Sequence, residues 1–203
     1  MIEPGAFAAT LLAAQAGAEW AFATLYRSHH PRLLRYLRAH EPQDSGDIGS
    51  ELWIDVARNI GGFRGDEDQF RGWLFTIARR RVIDHRRARR RRPADPCPDE
   101  IVHRATAPSA EDTAMDAVWG DEAARRIVEL LPPDQAEVVL LRVVSGLEVA
   151  AVAQITGRRP GAVRVAQHRA LRTLARKLGE IGNATADPGD ASLRDANAPA
   201  SPR

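Results

Sequence analysis

Residues 156–178 read TGRRPGAVRVAQHRALRTLARKL, a stretch with six arginines and one lysine in which a glycine turn leads into a helix. With the segment before it, this stretch fits a helix-turn-helix over residues 149–168. Small Ala153 lies where the two helices must approach each other. Gly157 occupies the turn, where a left-handed backbone costs little only for glycine. Val163 and Ala166 then face back toward the first helix.

The opposite face of this second helix is polar and cationic. Its outward side chains are Arg164, Gln167, His168, Arg169 and Arg172. Such a helix fits the major groove of DNA with its N-terminal residues at base edges, where arginine bonds guanine and glutamine bonds adenine. Arg158, Arg159 and Arg172 are better placed for phosphates, which orient a protein without reading sequence. The alternative is a packed helical hairpin with a solvated cationic face, because short matches to this pattern also arise by chance.

A second cationic stretch, WLFTIARRRVIDHRRARRRRP at 73–93, carries nine arginines between Arg79 and Arg92. This number exceeds what the helix dipole requires. We expect the helix to start at Phe70, after a glycine-rich loop that contains Phe63. Cations hold a phosphate backbone and aromatic rings stack on unpaired bases, so the pairing suits a protein that captures an opened strand. Trp73 fits a core position better, whereas for Phe63 both interpretations stay open.

Composition restricts the class of protein. With 44% hydrophobic residues in 203, few aromatics and much alanine and leucine, the chain favours packed helices. The single cysteine, Cys97, excludes an internal disulfide and a cysteine-built zinc site, and it fits a reducing, cytoplasmic compartment. The N-terminus does not read as a signal peptide, and no apolar run reaches the length of about eighteen residues that membrane insertion needs.

We therefore predict an all-α fold with two small helical domains joined by a flexible linker. Proline and acid content marks the linker, and low apolar content marks a disordered tail. The predicted segments are an N-terminal extension at 1–17, a first domain at 18–92, an acidic, proline-rich linker at 93–116, a second domain at 117–179 and the tail at 180–203.

In the first domain, the segment 47–60 differs from its basic neighbours. We expect Asp47 to cap a helix that mixes acids with large apolar side chains: Asp47, Ile48, Glu51, Leu52 and Trp53. An acidic, apolar face on a DNA-binding protein suggests a protein partner. The alternative is that Trp53 lies in the core and the acids are solvated. The pattern alone favours neither interpretation.

Taken in order, the motifs DSGDIGSELW, FRGDEDQF, WLFTIARRR, IDHRRARRR, LPPDQAEVVLLR and GAVRVAQHRA resemble one family. The chain resembles the small, two-domain extracytoplasmic-function (ECF) group of the sigma-70 family of bacterial RNA polymerase sigma factors, over about residues 20–92 and 117–179. It departs from the usual pattern at Ser50 (commonly Gln), at Arg80 (commonly Asn) and at Val165 and Ala166 (commonly Ser and Arg).

The resemblance implies promoter recognition with core RNA polymerase. The first domain would bind the clamp coiled coil of the largest subunit through Asp47, Ile48, Glu51, Leu52 and Trp53. It would recognise and melt the minus-10 element through Phe63, Arg64, Arg79, Arg80, Arg81 and Arg87, with a flipped-out base in the loop 60–69. The second domain would rest on the flap of the other large subunit and bind the minus-35 element through Arg159, Arg164, Val165, Gln167, His168, Arg169 and Arg172. Relatives are often silenced by an anti-sigma factor that clamps both domains, which makes such a protein a further expected partner.

Two other classes of protein are weighed against this hypothesis. A stand-alone helix-turn-helix regulator would bind operator DNA without polymerase. An enzyme is disfavoured, because the sequence offers no phosphate-cradling glycine loop and no set of residues at metal-binding spacing. The adjacent pairs His29–His30 and Asp84–His85 are poor ligand sets, since neighbours on a helix point about 100° apart. We expect no catalytic residue, no metal and no cofactor.

Overall fold

The computed structural model describes residues 4–91 and 111–185, with side chains at 6–91 and 120–180. Within these ranges the chain is helical and has no strand, which confirms the all-α prediction. The helices are α1 (Pro4–Gln15), α2 (Glu19–His40), α3 (Ser45–Asn59), α4 (Glu67–Arg91), α5 (Glu111–Leu130), α6 (Pro133–Val139), α7 (Val149–Thr156) and α8 (Pro160–Thr185). A 3₁₀ turn follows α3 at Ile60–Gly62, and a π-helical turn follows α6 at Leu140–Val144.

The core of the first domain forms between α2, α3 and α4. The apolar side chains recur every three or four residues and so line one face of each helix. Leu25, Leu33 and Leu37 of α2 are fully buried, as are Leu52 of α3 and Leu74 of α4. The buried apolar side chains of α4 therefore face inward, and most of its arginines lie on the other face.

Two helix starts differ from the sequence prediction. Helix α3 begins at Ser45, with Asp44 rather than Asp47 at the cap position. Helix α4 begins at Glu67 rather than at Phe70, because Asp66 and Gln69 form a reciprocal capping box. The Gln69 amide N–H donates to Asp66 Oδ1 (2.8 Å) and the Asp66 amide N–H donates to Gln69 Oε1 (2.9 Å).

The segments between and around the domains contain more helix than the sequence analysis expects. Residues 4–15 of the predicted extension form α1, whose Phe7 and Leu11 are buried. Helix α5 begins at Glu111, within the predicted linker, and α8 continues to Thr185, within the predicted tail. The remaining linker and tail residues, 93–110 and 186–203, lie outside the described residues, as does Arg92 at the end of the predicted first domain.

The second domain contains the expected helix-turn-helix. Helix α7 ends at Gly157, whose φ of 68° is left-handed, and Arg158 N–H returns to the Ala153 carbonyl (2.9 Å). Val163 on α8 is fully buried against α7, where Ala153 is 6% exposed. The small side chain at 153 lets the two helices approach, and the outer face of α8 stays at the surface.

The two domains contact each other through α2 with α5 and through α4 with α7. Glu137 of α6 connects them most closely. Its Oε1 accepts from Tyr36 Oη (2.9 Å) and lies 3.2 Å from Arg79 Nε, while its Oε2 lies 3.0 Å from His40 Nε2. Asp121 of α5 adds a second link, to Arg38 Nη1 at 2.6 Å.

Candidate nucleic-acid interface

Helix α8 presents nearly all of the residues that the sequence predicts for the minus-35 element. Its exposed members are Val165, His168, Arg164, Arg169 and Arg172, with Arg159 exposed just before the helix. Gln167 is half-buried, and its Oε1 accepts from Arg142 Nε at 3.2 Å. Bidentate bonding to adenine needs that oxygen as well as the amide N–H, so Gln167 can make such a pair only after Arg142 releases it.

The arginines of the second domain differ in whether they form ion pairs. Among the side chains described at 120–180, Arg159, Arg164, Arg169 and Arg172 form no ion pair with a carboxylate. Arg158, which the sequence places at a phosphate, is instead half-buried and lies 2.7 Å from Asp134. The outward face of α8 therefore carries guanidinium groups that no carboxylate among the described side chains neutralises.

The arginines on α4 are arranged differently, because most of those predicted for the minus-10 element contact acids. Arg79 pairs with Glu137 across the domain interface, and Arg81 bridges Glu51 and Asp55 of α3 at 2.8 Å each. Arg80 and Arg87 both lie within 4 Å of Asp84. Arg80 is nevertheless 84% exposed and Arg87 67% exposed, so both remain accessible to DNA.

The loop between α3 and α4, residues 60–66, holds the aromatic side chain on which the minus-10 prediction depends. The Phe63 ring is half-buried, edge-on to Phe70 and tilted 30° against Trp73, with both centroid distances 5.3 Å. Arg64 is exposed, but its Nη1 donates back to the Gly61 carbonyl (2.9 Å) and to the Phe63 carbonyl (2.6 Å). Phe63 therefore forms the edge of an aromatic cluster that a base could extend by stacking.

The backbone conformation and surroundings of Gly65 in this loop favour glycine over any residue with a side chain. Its φ is 154°, and a Cβ there would lie 2.5 Å from Gln69 Oε1, the atom that caps α4. A side chain at 65 would therefore displace the capping bond that fixes the start of α4.

The residues of α3 that the sequence predicts to bind polymerase lie partly in the core and partly at the surface. Ile48, Leu52 and Trp53 are 4%, 0% and 6% exposed, whereas Asp47 and Glu51 are exposed. Trp53 Nε1 donates to His30 Nδ1 (3.2 Å), which favours the core interpretation of this tryptophan. The buried members of this set fix the position of α3, and a partner can reach only the acids.

Exposed Ile54, at 49%, is the apolar side chain on α3 that sequence reasoning missed. The signal was present in the sequence, because Ile48, Leu52, Trp53 and Val56 lie on one face of the helix and Ile54 lies on the opposite face. An apolar residue off the buried stripe lies at the surface. It adds an apolar contact to the acidic face formed by Asp47 and Glu51.

Glu137 is a half-buried carboxylate that the sequence gives no reason to single out, since its partners are distant in the chain, with Tyr36 101 residues before it. Burial raises the pKa of this carboxyl, but the hydrogen bonds from His40 and Tyr36 and the charge of Arg79 outweigh burial and lower the pKa. Burial, followed by the negative charge of Glu137, raises the pKa of the Tyr36 hydroxyl well above its usual range. The carboxylate is thus held ionised at the contact between the domains.

The adjacent pairs from the sequence analysis point apart. His29 is buried beside Phe70, and burial, helped by the charges of Arg71 and Arg32, lowers the pKa of His29 to about 4. His30 stacks on Tyr26 at 4.4 Å instead. His85 contacts Asp44 (3.0 Å), while Asp84 lies near Arg80 and Arg87.

Among the described residues, one group of potential metal ligands does form, and its third member, His85, lies 41 residues after Asp44, which sequence spacing does not show. Single ligand atoms of Glu41, Asp44 and His85 lie within 4.8 Å of one another. Arg86 Nε lies 2.5 Å from one Glu41 oxygen, and Arg89 Nη1 lies 3.5 Å from the other. Guanidinium groups of the chain itself therefore already neutralise the buried carboxylate of this group.

Across the part of the chain that the structure describes, no helix has the length and apolar character needed to cross a membrane. Although the domains share one buried core, neither arginine surface is enclosed by it: the α8 arginines and most of the α4 arginines remain at the surface.

Comparison with known proteins agrees with this architecture. The family model described as Sigma-70 region 2 matches residues 25–92, and the one described as Sigma-70, region 4 matches residues 121–174. The fold resembles CnrH in its complex with the cytosolic domain of CnrY, with a TM-score of 0.58 and 19% identity over 84% of this chain and 96% of that one. At this identity the structural likeness supports the fold alone.

Sequence similarity to curated proteins identifies the family more specifically. The ECF RNA polymerase sigma factor BldN of Streptomyces coelicolor is 35% identical over 81% of this chain, and the match spans 63% of that relative's length. The ECF RNA polymerase sigma factor SigD of Mycobacterium tuberculosis is 33% identical over 86% of this chain and 85% of its own. These matches confirm the resemblance that the motifs indicated, and the chain belongs to the ECF group of RNA polymerase sigma factors.

Proposed function

We propose that this chain is a promoter-specificity subunit, which binds core RNA polymerase, recognises the minus-35 and minus-10 elements and promotes DNA melting. The observation that carries the proposal is the exposure of two arginine-bearing helix faces, on α8 and α4, each in its own small helical domain. Two separate cationic surfaces on one chain suit two sites along one duplex.

At the minus-35 element, α8 lies in the major groove. Arg164 and Gln167 reach base edges, with Val165 and His168 beside them, while Arg159, Arg169 and Arg172 contact flanking bases and phosphates. Support comes from the exposure of this face and from the unpaired state of its arginines among the described side chains. An arginine without an acidic partner loses no ion pair when it binds DNA.

At the minus-10 element, the exposed arginines of α4 hold the phosphate backbone, and the 60–66 loop takes up an unpaired base beside Phe63. Arg64, Arg79, Arg80, Arg81 and Arg87 complete this surface. Support comes from the aromatic cluster of Phe63, Phe70 and Trp73, and from Arg64, which follows Phe63 in the same loop and is exposed. The duplex opens because stacking and cationic contacts compensate in part for lost base pairs.

The polymerase contact uses the outer face of α3. Asp47, Glu51 and Ile54 form an acidic, apolar surface for the clamp coiled coil of the largest subunit, and the second domain rests on the flap of the other large subunit. An anti-sigma factor is a further partner, by analogy with the sigma factor RpoE of Bartonella quintana in its complex with the anti-sigma factor NepR. Sigma factors are non-enzymatic initiation factors, and we extend this to the present chain and place it in the cytoplasm.

Transcription and binding assays with core polymerase test the proposal. The purified chain with core enzyme should give run-off transcripts from a subset of a genomic promoter library. In a gel-shift assay, the chain alone should bind those promoters poorly and the holoenzyme should bind them tightly. Tight binding by the chain alone, unaffected by core enzyme, would instead identify a stand-alone helix-turn-helix regulator.

A further inference from the structure

Helix α1 lies outside the span that the region 2 family model matches, yet it supports the loop proposed to hold the flipped-out base. Phe7 of α1 is 2% exposed and lies under Phe70, with a centroid distance of 5.6 Å. Phe70 in turn contacts Phe63 of the loop. The N-terminal helix therefore forms the base of the aromatic cluster.

The last residue of α1, Gln15, reaches the loop backbone directly. Its Nε2 donates to the Ile60 carbonyl (2.9 Å) and to the Phe63 carbonyl (2.8 Å), so one amide group connects both ends of the 60–63 turn. A glutamine amide has two N–H donors, and both are used here. The side chain is half-buried, so water competes only partly for these two bonds.

The segment between the two carbonyls needs such a connection. Gly61 and Gly62 are exposed and have open space around their Cα atoms. Glycine loses more conformational freedom on ordering than any other residue. The turn has one internal backbone bond, from Phe63 N–H to the Ile60 carbonyl at 3.0 Å, and the neighbouring Arg64 Nη1 donates to the Gly61 and Phe63 carbonyls. The additional bonds from Gln15 keep the Phe63 backbone, and so its ring, in place on the cluster.

We propose that Gln15 is a positioning residue for promoter melting: by holding the Ile60 and Phe63 carbonyls, it keeps the 60–66 loop in the conformation that captures an unpaired minus-10 base. This inference rests on the proposed function of the loop. Gln15 does not itself contact the base, because it acts through the backbone of the turn.

The test compares two Gln15 variants with a control on the same helix. Gln15→Leu keeps similar volume and removes both donors, and Gln15→Glu places carboxylate oxygens against the two carbonyls. The control is Leu12→Ala, at a side chain that is 67% exposed. Holoenzymes are titrated with a fork-junction DNA that has an unpaired minus-10 strand, taken from a promoter that the wild-type holoenzyme transcribes, and with a duplex that contains only the minus-35 element.

We expect both Gln15 variants to bind the fork junction about tenfold more weakly, as the loss of two hydrogen bonds implies. Binding to the minus-35 duplex should not change, and Leu12→Ala should match wild type on both probes. Equal losses on the two probes would indicate a merely structural role and overturn the inference. So would wild-type affinity of the variants for the fork junction.

Two further comparisons keep the outcomes distinct. If the wild-type holoenzyme shows no preference for the unpaired strand over duplex, the proposed function of the loop is wrong, whatever Gln15 does. If the two Gln15 variants unfold, Gln15→Asn, which keeps the amide on a side chain shorter by one methylene, must show a smaller loss on the fork junction alone. No fork-specific loss in that variant overturns the inference.

Discussion

The two arginine-rich helices resemble each other in sequence and differ in the structure. On α8, the arginines of the proposed recognition face form no ion pair within the described side chains. On α4, Arg79, Arg81 and Arg86 each contact at least one carboxylate, on α6, on α3 and at the end of α2. Counting cations in the sequence treats the helices alike, but only the α8 face presents its full charge.

The difference suggests a division of roles between the domains. Unneutralised cations on α8 suit attraction of DNA over a distance, whereas α4 has to exchange intramolecular partners for phosphates. Asp84, the partner of Arg80 and Arg87, is exposed, and exposed ion pairs contribute about 0–1 kcal/mol. The exchange is therefore easy for Arg80 and Arg87, and harder for Arg79, whose partner Glu137 has a side chain only 17% exposed.

The largest effect is expected when the contact between Glu137 and Arg79 of α4 is broken, because the arginines of the α8 face have no such partner among the described side chains. Glu137→Ala leaves Tyr36, His40 and Arg79 without their common acceptor, and we expect it to lower the free energy of unfolding by about 3 kcal/mol. It should also increase the distance between the domains, measured by energy transfer between dyes on α2 and α8. The exposed substitution Glu129→Ala on α5 is the control. Unchanged unfolding and distance would show that Glu137 does not hold the domains together.

Loss of Arg164 tests the α8 side of the comparison. Arg164→Ala should cost roughly 1–3 kcal/mol at one base pair of the minus-35 element if the contact is bidentate, because the base loses both hydrogen bonds. Holoenzyme affinity for promoters with every base at that position measures the effect. Arg176→Ala, on the same helix but paired with Glu180, is the matched control. An equal loss on all sequences would contradict base recognition by Arg164.

Salt dependence compares the two surfaces directly. One variant replaces three unpaired arginines by glutamine, Arg164, Arg169 and Arg172. The other replaces three paired arginines, Arg81, Arg86 and Arg89. Each phosphate contact contributes about 0.9 to the slope of log K against log salt concentration. We expect the first variant to flatten the slope for holoenzyme binding more than the second, since carboxylates already neutralise the second set. Equal slopes would mean that the α4 arginines leave their acids when DNA binds.

The smallest effect is expected at His29, whose pKa is lowered in part by the positive charge of Arg71 near the start of α4. Arg71→Gln removes a charge that lowers the pKa of His29, so that pKa should rise from about 4 toward its usual value in an NMR titration. Between that value and about 6.5 the unfolded chain binds more protons at His29, so stability falls as pH falls through this window. The variant should show a shallower fall, and an unchanged pKa would mean that the charge of Arg71 does not contribute to the shift.

Much of the fold could be predicted because its signals are local. Gly157 marks the turn of the helix-turn-helix, and the repeat of Ile48, Leu52 and Val56 marks the buried face of α3. The start of α4 was missed although Asp66 and Gln69 have the spacing of a capping box. The packing of α1 was missed because its apolar residues surround the helix and give no single face.

The parts of the candidate site that could not be predicted depend on long-range contacts. Gln15 lies 45 residues before one of its acceptors, and Tyr36 lies 101 residues before Glu137. Neither contact leaves a periodic signal in the sequence. The pairing state of each arginine depends on such contacts too, so the contrast between α4 and α8 emerges only from the packed structure.

The placement of Glu137 has a consequence for protein engineering. This carboxylate belongs to one domain, while Tyr36, His40 and Arg79 belong to the other. A chimera that takes its C-terminal half from a relative without an acid at this place would inherit three orphaned donors. To give this chain a new promoter preference, it is therefore safer to exchange only the exposed side chains of α8 than to replace the whole second domain.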